Sequence, residues 1–183
     1  MTAEDTSQLR VRIEPFDPSQ HDRTAFSCGA ARIDNFLRRT AKKHQKGGFT
    51  RVWVAVGVEG GAAVLGFYAL IAHSIEAEGL PENLTKNAPR HGRVPAIYLS
   101  MFGVDHKVQK QGLGRVLLAD ALNRAATVSE QIGLAVVVLD VLDDGDEKAV
   151  QKRHRFYESA GFIAFPSRPS RMFIPMGTIR RLL

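Results

Sequence analysis

The sequence predicts a mixed α/β fold: one sheet with flanking helices. Three observations predict it. Apolar runs of strand length and amphipathic runs of helix length follow one another in the order β-α-β-β-β-α-β-α-β-β. One run, "LAVVVLDVL" (134–142), is apolar without alternation, as suits a strand buried on both faces. Two glycines, Gly112 and Gly114, stand where a strand gives way to a helix.

"LRVRIEPF" (9–16) alternates apolar and polar residues and reads as the first strand. In "SCGAARIDNFLRRTAKKHQKG", Ile33, Phe36, Leu37, Thr40, Ala41 and His44 recur at helical spacing and make one face. Arg32, Arg39, Lys43 and Lys46 fall on nearly the opposite face, and Gly47 and Gly48 stop the helix. "FTRVWVAVG" and "VLGFYALIA" are two strands around a turn at Gly60 and Gly61. Residues 73–93 hold Gly79, Pro81, Pro89 and Gly92 among polar residues, a long irregular connection of the kind that often carries function. "VPAIYLSMFGV" is the fourth strand, and 112–127 a helix with Leu113, Val116, Leu117 and Leu122 inward. A helix over 147–161 closes at Gly161, and "FIAF" and "RMFIPM" are short last strands.

Length and composition bound the function. The 183 residues, 44% of them apolar, suit a single domain over 1–183. No stretch is long and apolar enough to span a membrane, and the polar opening "MTAEDTSQLR" lacks the apolar core of a signal peptide, so the expectation is a cytoplasmic protein. Cys28 is the one cysteine, which excludes an internal disulfide; the six histidines show no ligand spacing, so no metal is expected. Twenty-five basic residues against 19 acidic ones give a net charge of +6, which fits an anionic partner, nucleic acid or a phosphate-rich cofactor. A generic basic surface gives the same number.

The glycine turn narrows the choice. A helix N-terminus carries unpaired N–H groups and partial positive charge, and glycines let successive N–H groups curl toward one anion. "QKQGLG" (109–114) therefore reads as a phosphate cradle. It is neither a dinucleotide fingerprint, which needs a third glycine where Leu117 stands, nor a P-loop, which needs Lys-Ser/Thr where Arg115 and Val116 stand. A bare G-x-G by itself is more often steric than ligand-binding.

Its surroundings supply more. Gln109-Lys110-Gln111-Gly112-Leu113-Gly114 resembles the R/Q-x-x-G-x-G/A motif of the GNAT (GCN5-related) N-acetyltransferases, "LSMFGVD" resembles their fourth strand, and "FYESAGF" (156–162) their Y-E-x-x-G-F signature. The resemblance runs from about Arg10 to Met176. It implies a GNAT fold: a mostly antiparallel sheet of six to seven strands, splayed between strands 4 and 5. It implies acetyl-CoA as donor, with its pyrophosphate on backbone N–H groups of Gln109, Lys110, Gln111, Gly112, Leu113, Gly114 and Arg115. Its pantetheine arm would pair with the backbone of Phe102 and Val104, one N–H stabilising the oxyanion. It implies Tyr157 as the general acid that protonates the leaving thiolate. One position departs: many members carry an Asn seven residues before the tyrosine, where this chain has Val150.

A narrower resemblance lies upstream. "FSCGAARIDNFLRRTAKKHQKGGFTRVWVAV" (26–56) resembles the opening of the GNAT toxins of the TacT/AtaT type, which acetylate aminoacyl-tRNA. It implies charged tRNA as acceptor, a ribbon-helix-helix antitoxin as partner, and a homodimer. Arg32, Arg39, Lys43 and Lys46, with Arg90 and Arg93 beside the long loop, would then contact RNA phosphates. A solvated helix face is the competing explanation. The run "RRTAKKHQK" holds no acidic residue, which is unusual for a salt-bridged surface helix.

No strong base stands out; Asp105, Asp140 and Asp143 qualify by type alone. An α-amine, with a pKa of about 7.7–8.0 against about 10.4 for lysine, needs little help to lose its proton. Two other readings compete: a GNAT acting on a small-molecule or protein amine, and a non-catalytic RNA- or protein-binding module that keeps the fold. Cys28 is read as a packing or capping residue, His154 as a surface or packed histidine, and Trp53 as a core residue that could also line the acceptor cleft.

Overall fold

The computed structural model describes residues 9–86, Ala88, Arg90 and 92–183. The acidic opening of the chain and Pro89 lie outside the described residues. Seven strands form one sheet in the order β1-β2-β3-β4-β5-β7-β6. They are β1 (Val11–Pro15), β2 (Arg51–Gly57), β3 (Gly66–Glu76), β4 (Arg93–Val104), β5 (Val136–Asp140), β6 (Ile163–Phe165) and β7 (Arg168–Pro175). The helices are α1 (Ala31–Asn35), α2 (Ala41–Lys46), α3 (Glu82–Thr85), α4 (Leu113–Ser129), α5 (Glu147–Ser159) and α6 (Met176–Leu182). The strand order within the chain is the one expected, and the expected helices fall between the same strands.

The chain divides into two compact units. The first comprises residues up to Ala69 together with Met101–Ala119. In it β1 pairs antiparallel with β2, from Val11 opposite Gly57 to Pro15 opposite Trp53. Val52, Val54, Ala55 and Val56 are buried on β2, and Phe67 is flanked edge-on by Phe26 (5.4 Å) and face-on by Phe36 (6.1 Å). The basic segment is not one regular helix: a π turn, Phe36–Thr40, separates α1 from α2. Ile33, Phe36, Leu37 and Ala41 are buried as expected. His44 is not among the buried residues, because the π turn adds a residue per turn and rotates α2 relative to α1. Gly103 on β4 lies under α1. A Cβ there would lie 2.9 Å from Ile33 Cγ2 and 3.4 Å from Cys28 Sγ.

The second unit comprises Leu70–Ser100 and Asp120–Leu183. β4 and β5 run parallel but pair over three positions only, Ala96 to Tyr98 against Val136 to Val138. β5 pairs antiparallel with β7, and β7 with β6. Val136, Val138, Ile75, Val94 and Phe173 form the core of this unit, so the unbroken apolar run is buried.

Three expectations are corrected. The irregular connection is shorter than 73–93: β3 runs to Glu76 and α3 fills part of the rest, because Arg93 at the start of β4 ties back to Ser74 and Glu76. Val116 is 49% exposed; the buried face of α4 is Leu113, Leu117, Leu118, Ala121, Leu122 and Ala125. The chain ends in a helix, α6, where no helix was expected; it buries Met176 and Ile179.

Candidate active site

The glycine loop is built from β4 outward. Asp105, buried just past the strand, accepts from the backbone N–H of Ser27 (3.1 Å) and Lys107 (3.0 Å). It caps the 3-10 turn His106–Val108, and with both oxygens engaged it is a structural carboxylate and not a base. The Gln109 side-chain amide donates to the carbonyls of Cys28 and Val104, each at 3.0 Å. The leading residue of the motif thus pins the loop to β4. Lys110 (φ 65°) and Gly112 (φ 86°) then both take the left-handed conformation. A Cβ at Gly112 would meet nothing within 4 Å, so the glycine is there for its dihedral angle and not for lack of room. Alternation of this kind turns successive N–H groups to one side, and α4 begins at once. Lys110, Gln111 and Arg115 are exposed, as is Gly112; Leu113 is buried and offers backbone alone; Phe102, Val104 and Gly114 are half-buried. Of the expected backbone donors, Arg115 N–H is already given to Gly112 O (3.0 Å) in the first turn of the helix, so it does not serve an anion.

Cys28 lies behind this loop. Burial, and then the adjacent Asp34 carboxylate, push its thiol up to about 12. It is a packing group, as expected, and carries no thiolate at neutral pH. Asp34 is buried and accepts from Cys28 N–H (2.8 Å) and Ser27 Oγ (3.2 Å), fixing the chain before α1.

Tyr157 belongs to the second unit, on the last turn of α5. Asp146 caps the start of this helix, accepting from Lys148 N–H (3.0 Å) and Ala149 N–H (3.2 Å). Asp144 pairs with Arg153 through two bonds of 2.9 and 2.7 Å, which hold its carboxyl down at about 2. The acidic segment before the helix is therefore a turn and cap. At the far end Gly161 N–H donates to Glu158 O (2.9 Å) and Phe162 N–H to Tyr157 O (3.1 Å), with Gly161 at φ 95°. That is a Schellman motif, and "YESAGF" is its sequence. The Tyr157 ring is held edge-on between Phe156 (5.1 Å) and Phe162 (5.8 Å). Burial raises the Tyr157 phenol above its ordinary value, the Arg153 cation pulling the other way. The hydroxyl stays protonated at neutral pH, as a general acid must. Val150 lies half-buried on the same helix.

Asp140, at the end of β5, is a different kind of group. Burial raises its pKa, but Arg171 (2.9 and 2.7 Å), Tyr98 (3.1 Å) and Arg168 (3.4 Å) outweigh burial and hold it below the ordinary value. A carboxylate so stabilised is a poor base. Asp143, exposed, accepts from Gly145 N–H in a turn. Neither fits a base role.

The cations divide into two kinds. Arg32, Arg39, Lys43 and Lys46 are exposed, and among the described residues no ion pair involves them. Arg93 is already engaged: it donates to Glu76 Oε1 (2.6 Å) and Ser74 Oγ (2.8 Å). Arg90 is exposed. Two features escape sequence reasoning: the anchoring role of Gln109, and the exposed Phe49 beside the basic helix. For the latter, the isolated aromatic between Gly48 and Thr50 is the available signal. Among the described residues no three His, Cys, Asp or Glu side chains gather as a metal site, and no helix is long and apolar enough to cross a membrane.

A parallel β4–β5 pair, a glycine loop at the end of β4 and a helix opening on that loop are what the resemblance to the GNAT acetyltransferases implies. Residues 48–164 match the acetyltransferase (GNAT) domain family. The chain belongs to the GNAT acetyltransferase family and is an acyltransferase. It is 47% identical over 97% of its length, and 98% of the relative, to "Probable toxin TacT" of Sinorhizobium fredii. It is 32% identical over 88% of its length, and 90% of the relative, to the "tRNA-acetylating toxin" of Mycobacterium tuberculosis. Among solved structures, AtaT complexed with acetyl-methionyl-tRNAfMet is similar at TM-score 0.82 and 26% identity, over 94% of this chain and 98% of that one.

Proposed function

We propose that this protein transfers the acetyl group of acetyl-CoA to the α-amino group of aminoacyl-tRNA, and acts as the toxin of a toxin–antitoxin pair. The observation that carries the reading is the basic segment. From Asn35 to Val58 there is no acidic residue, while Arg38, Arg39, Lys42, Lys43, Lys46 and Arg51 together equal the whole chain's net charge of +6. The two relatives above, one named a toxin and the other a tRNA-acetylating toxin, support it.

The pyrophosphate of acetyl-CoA rests on N–H groups of residues 109–114, the Arg115 N–H being taken by Gly112 O, and the arm lies along Phe102 and Val104. The neutral amine attacks the thioester carbonyl and a C–N bond forms. The C–S bond breaks, and the departing sulfur takes the proton of Tyr157, which solvent restores. The ammonium proton leaves to water. No strong base is required, because an α-amine titrates at about 7.7–8.0. Asp105 and Asp140, both engaged in hydrogen bonds, are in keeping with that.

A toxin requires a neutralising partner, and we assign that part to a ribbon-helix-helix antitoxin. We further propose a homodimer working in the cytoplasm. The test is incubation with labelled acetyl-CoA and total charged tRNA, with deacylated tRNA, a polyamine and a peptide panel as controls. Label confined to charged tRNA, and released with the amino acid by mild base, is the expected result. Label on the amine or peptide instead would sink the RNA reading and keep the acetyltransferase.

A further inference from the structure

Among the described residues Phe49 is the most exposed large apolar side chain, at 71%. It stands in the short connection between α2 and β2, and that connection is held at both ends. Gln45, on α2, donates to Phe16 O (2.7 Å) and accepts from Val52 N–H (3.0 Å). Phe49 N–H donates to His44 O (3.0 Å). The ring itself is placed as well. His44 meets it edge-on at 6.3 Å and meets the buried Phe36 at 6.0 Å. Gly47 lies against it: a Cβ there would fall 2.8 Å from Phe49 Cε2. Gly47 has an ordinary φ of −77°, so the backbone does not ask for glycine at this position; the ring does.

Around this aromatic the sequence supplies cations alone. Lys42, Lys43 and Lys46 precede it and Arg51 comes after, and the nearest acidic residues in sequence are the buried Asp34 and Glu59. A purely apolar patch on a protein partner would leave the cations of such a collar without counter-charge. A ligand that joins negative charge to flat π faces gains from both parts, because an unstacked base lies on an aromatic ring while its phosphates meet the lysines.

We propose that Phe49 is a stacking platform for an unpaired nucleobase of the tRNA substrate, with Lys43, Lys46 and Arg51 on the flanking phosphates. The inference rests on the RNA reading above. It adds a sequence-tolerant contact that electrostatics alone does not supply.

The test compares the unaltered full chain with Phe49→Ala, Phe49→Leu, Phe49→Tyr and Gly47→Ala. Binding of deacylated tRNA is followed by fluorescence anisotropy across a salt series, and acetyl transfer to charged tRNA by steady-state kinetics. Thermal melting and light scattering report folding and oligomeric state. Removing the ring weakens binding roughly ten- to hundredfold. Ala and Leu share that loss, Tyr restores binding, and Gly47→Ala, which displaces the ring without removing it, shows part of the loss. The loss falls on KM. The salt slope keeps its unaltered value, since every phosphate contact is retained. Leu binding as well as Phe, or a loss that appears with a change in oligomeric state, overturns the proposal; the second result makes Phe49 a contact between copies. If the unaltered chain itself binds no tRNA, the RNA reading falls first. Unaltered binding with an indifferent Leu variant sinks the platform alone.

Discussion

Phe162 donates its backbone N–H to the Tyr157 carbonyl at 3.1 Å and sets its ring edge-on to the tyrosine ring at 5.8 Å. A residue just beyond the helix thereby holds the tyrosine from two directions. The hinge of this arrangement is Gly161, whose φ of 95° no L side chain adopts cheaply, and whose Cβ would sit 3.3 Å from Ile174 Cδ1. Gly161→Ala should cost about 1–2 kcal/mol of stability from the dihedral alone. It should also lower kcat, because the last turn that carries Tyr157 is re-aimed. Urea titration and single-turnover kinetics check the two effects; an unchanged kcat would mean that the cap does not position the tyrosine.

Tyr157→Phe removes one oxygen and keeps the ring contacts to Phe156 and Phe162. Loss of a general acid lowers kcat roughly 10²- to 10⁴-fold. The ring packing is retained, so the variant should stay folded. The pH profile carries an independent mark. Burial raises the phenol above its ordinary value, so the acid form persists past pH ~10 and the rate should show no tyrosine limb up to that point. The rising limb, near pH ~7–8, belongs to the acceptor amine. A falling limb below pH ~10 would assign the acid role elsewhere.

How much of this is legible in the sequence depends on the range of the interactions. The glycine loop, Tyr157 and the parallel β4–β5 pair are written in short local spacings, and all lie on the expected elements. The Schellman cap is written there too, as Gly161 before an apolar residue, although by itself the glycine signals only a stop. The π turn is not legible, because "FLRRT" has ordinary helical spacing. The end of β3 is hidden for a similar reason. His73, Ser74 and Glu76 look like loop residues until Arg93, nineteen positions from Ser74, is seen to bind both Ser74 and Glu76. Asp105 and Asp140 are equivalent by residue type; their partners alone separate a cap from an ion-pair centre.

Asp140 predicts an acid sensitivity of the second unit. Its folded pKa lies below the ordinary aspartate value of about 3.9, so as the pH falls the unfolded chain takes up the proton first. The stabilising contribution is complete above about pH 5 and is lost as the pH falls through the folded value. Asp140→Asn leaves Arg171 without its charged partner and should cost about 1.5–3 kcal/mol at neutral pH, the worth of a hydrogen bond to a charged group. The difference between variant and unaltered protein should shrink below about pH 4. Chemical denaturation at neutral pH and at about pH 3.5 measures it. A difference that stays constant with pH would show that the contribution is not electrostatic.

The two kinds of surface arginine give the sharpest comparison. Arg39 and Lys43 have no ion pair among the described residues, so charge reversal to Glu at both positions replaces attraction to phosphate with repulsion. Acetylation of charged tRNA should fall by more than about 10², and the slope of log binding constant against log salt should flatten by nearly one unit for each phosphate no longer neutralised. Arg93 is bound to Glu76 and Ser74 and gives up those bonds to reach a ligand. Arg93→Ala should therefore change the salt slope little, with any cost appearing as a local loosening of β3 against β4. Anisotropy titrations at several salt concentrations decide between them. If Arg93→Ala flattens the slope as much as a helix reversal does, its pair with Glu76 opens for RNA, and Arg93 belongs with the RNA-contacting cations.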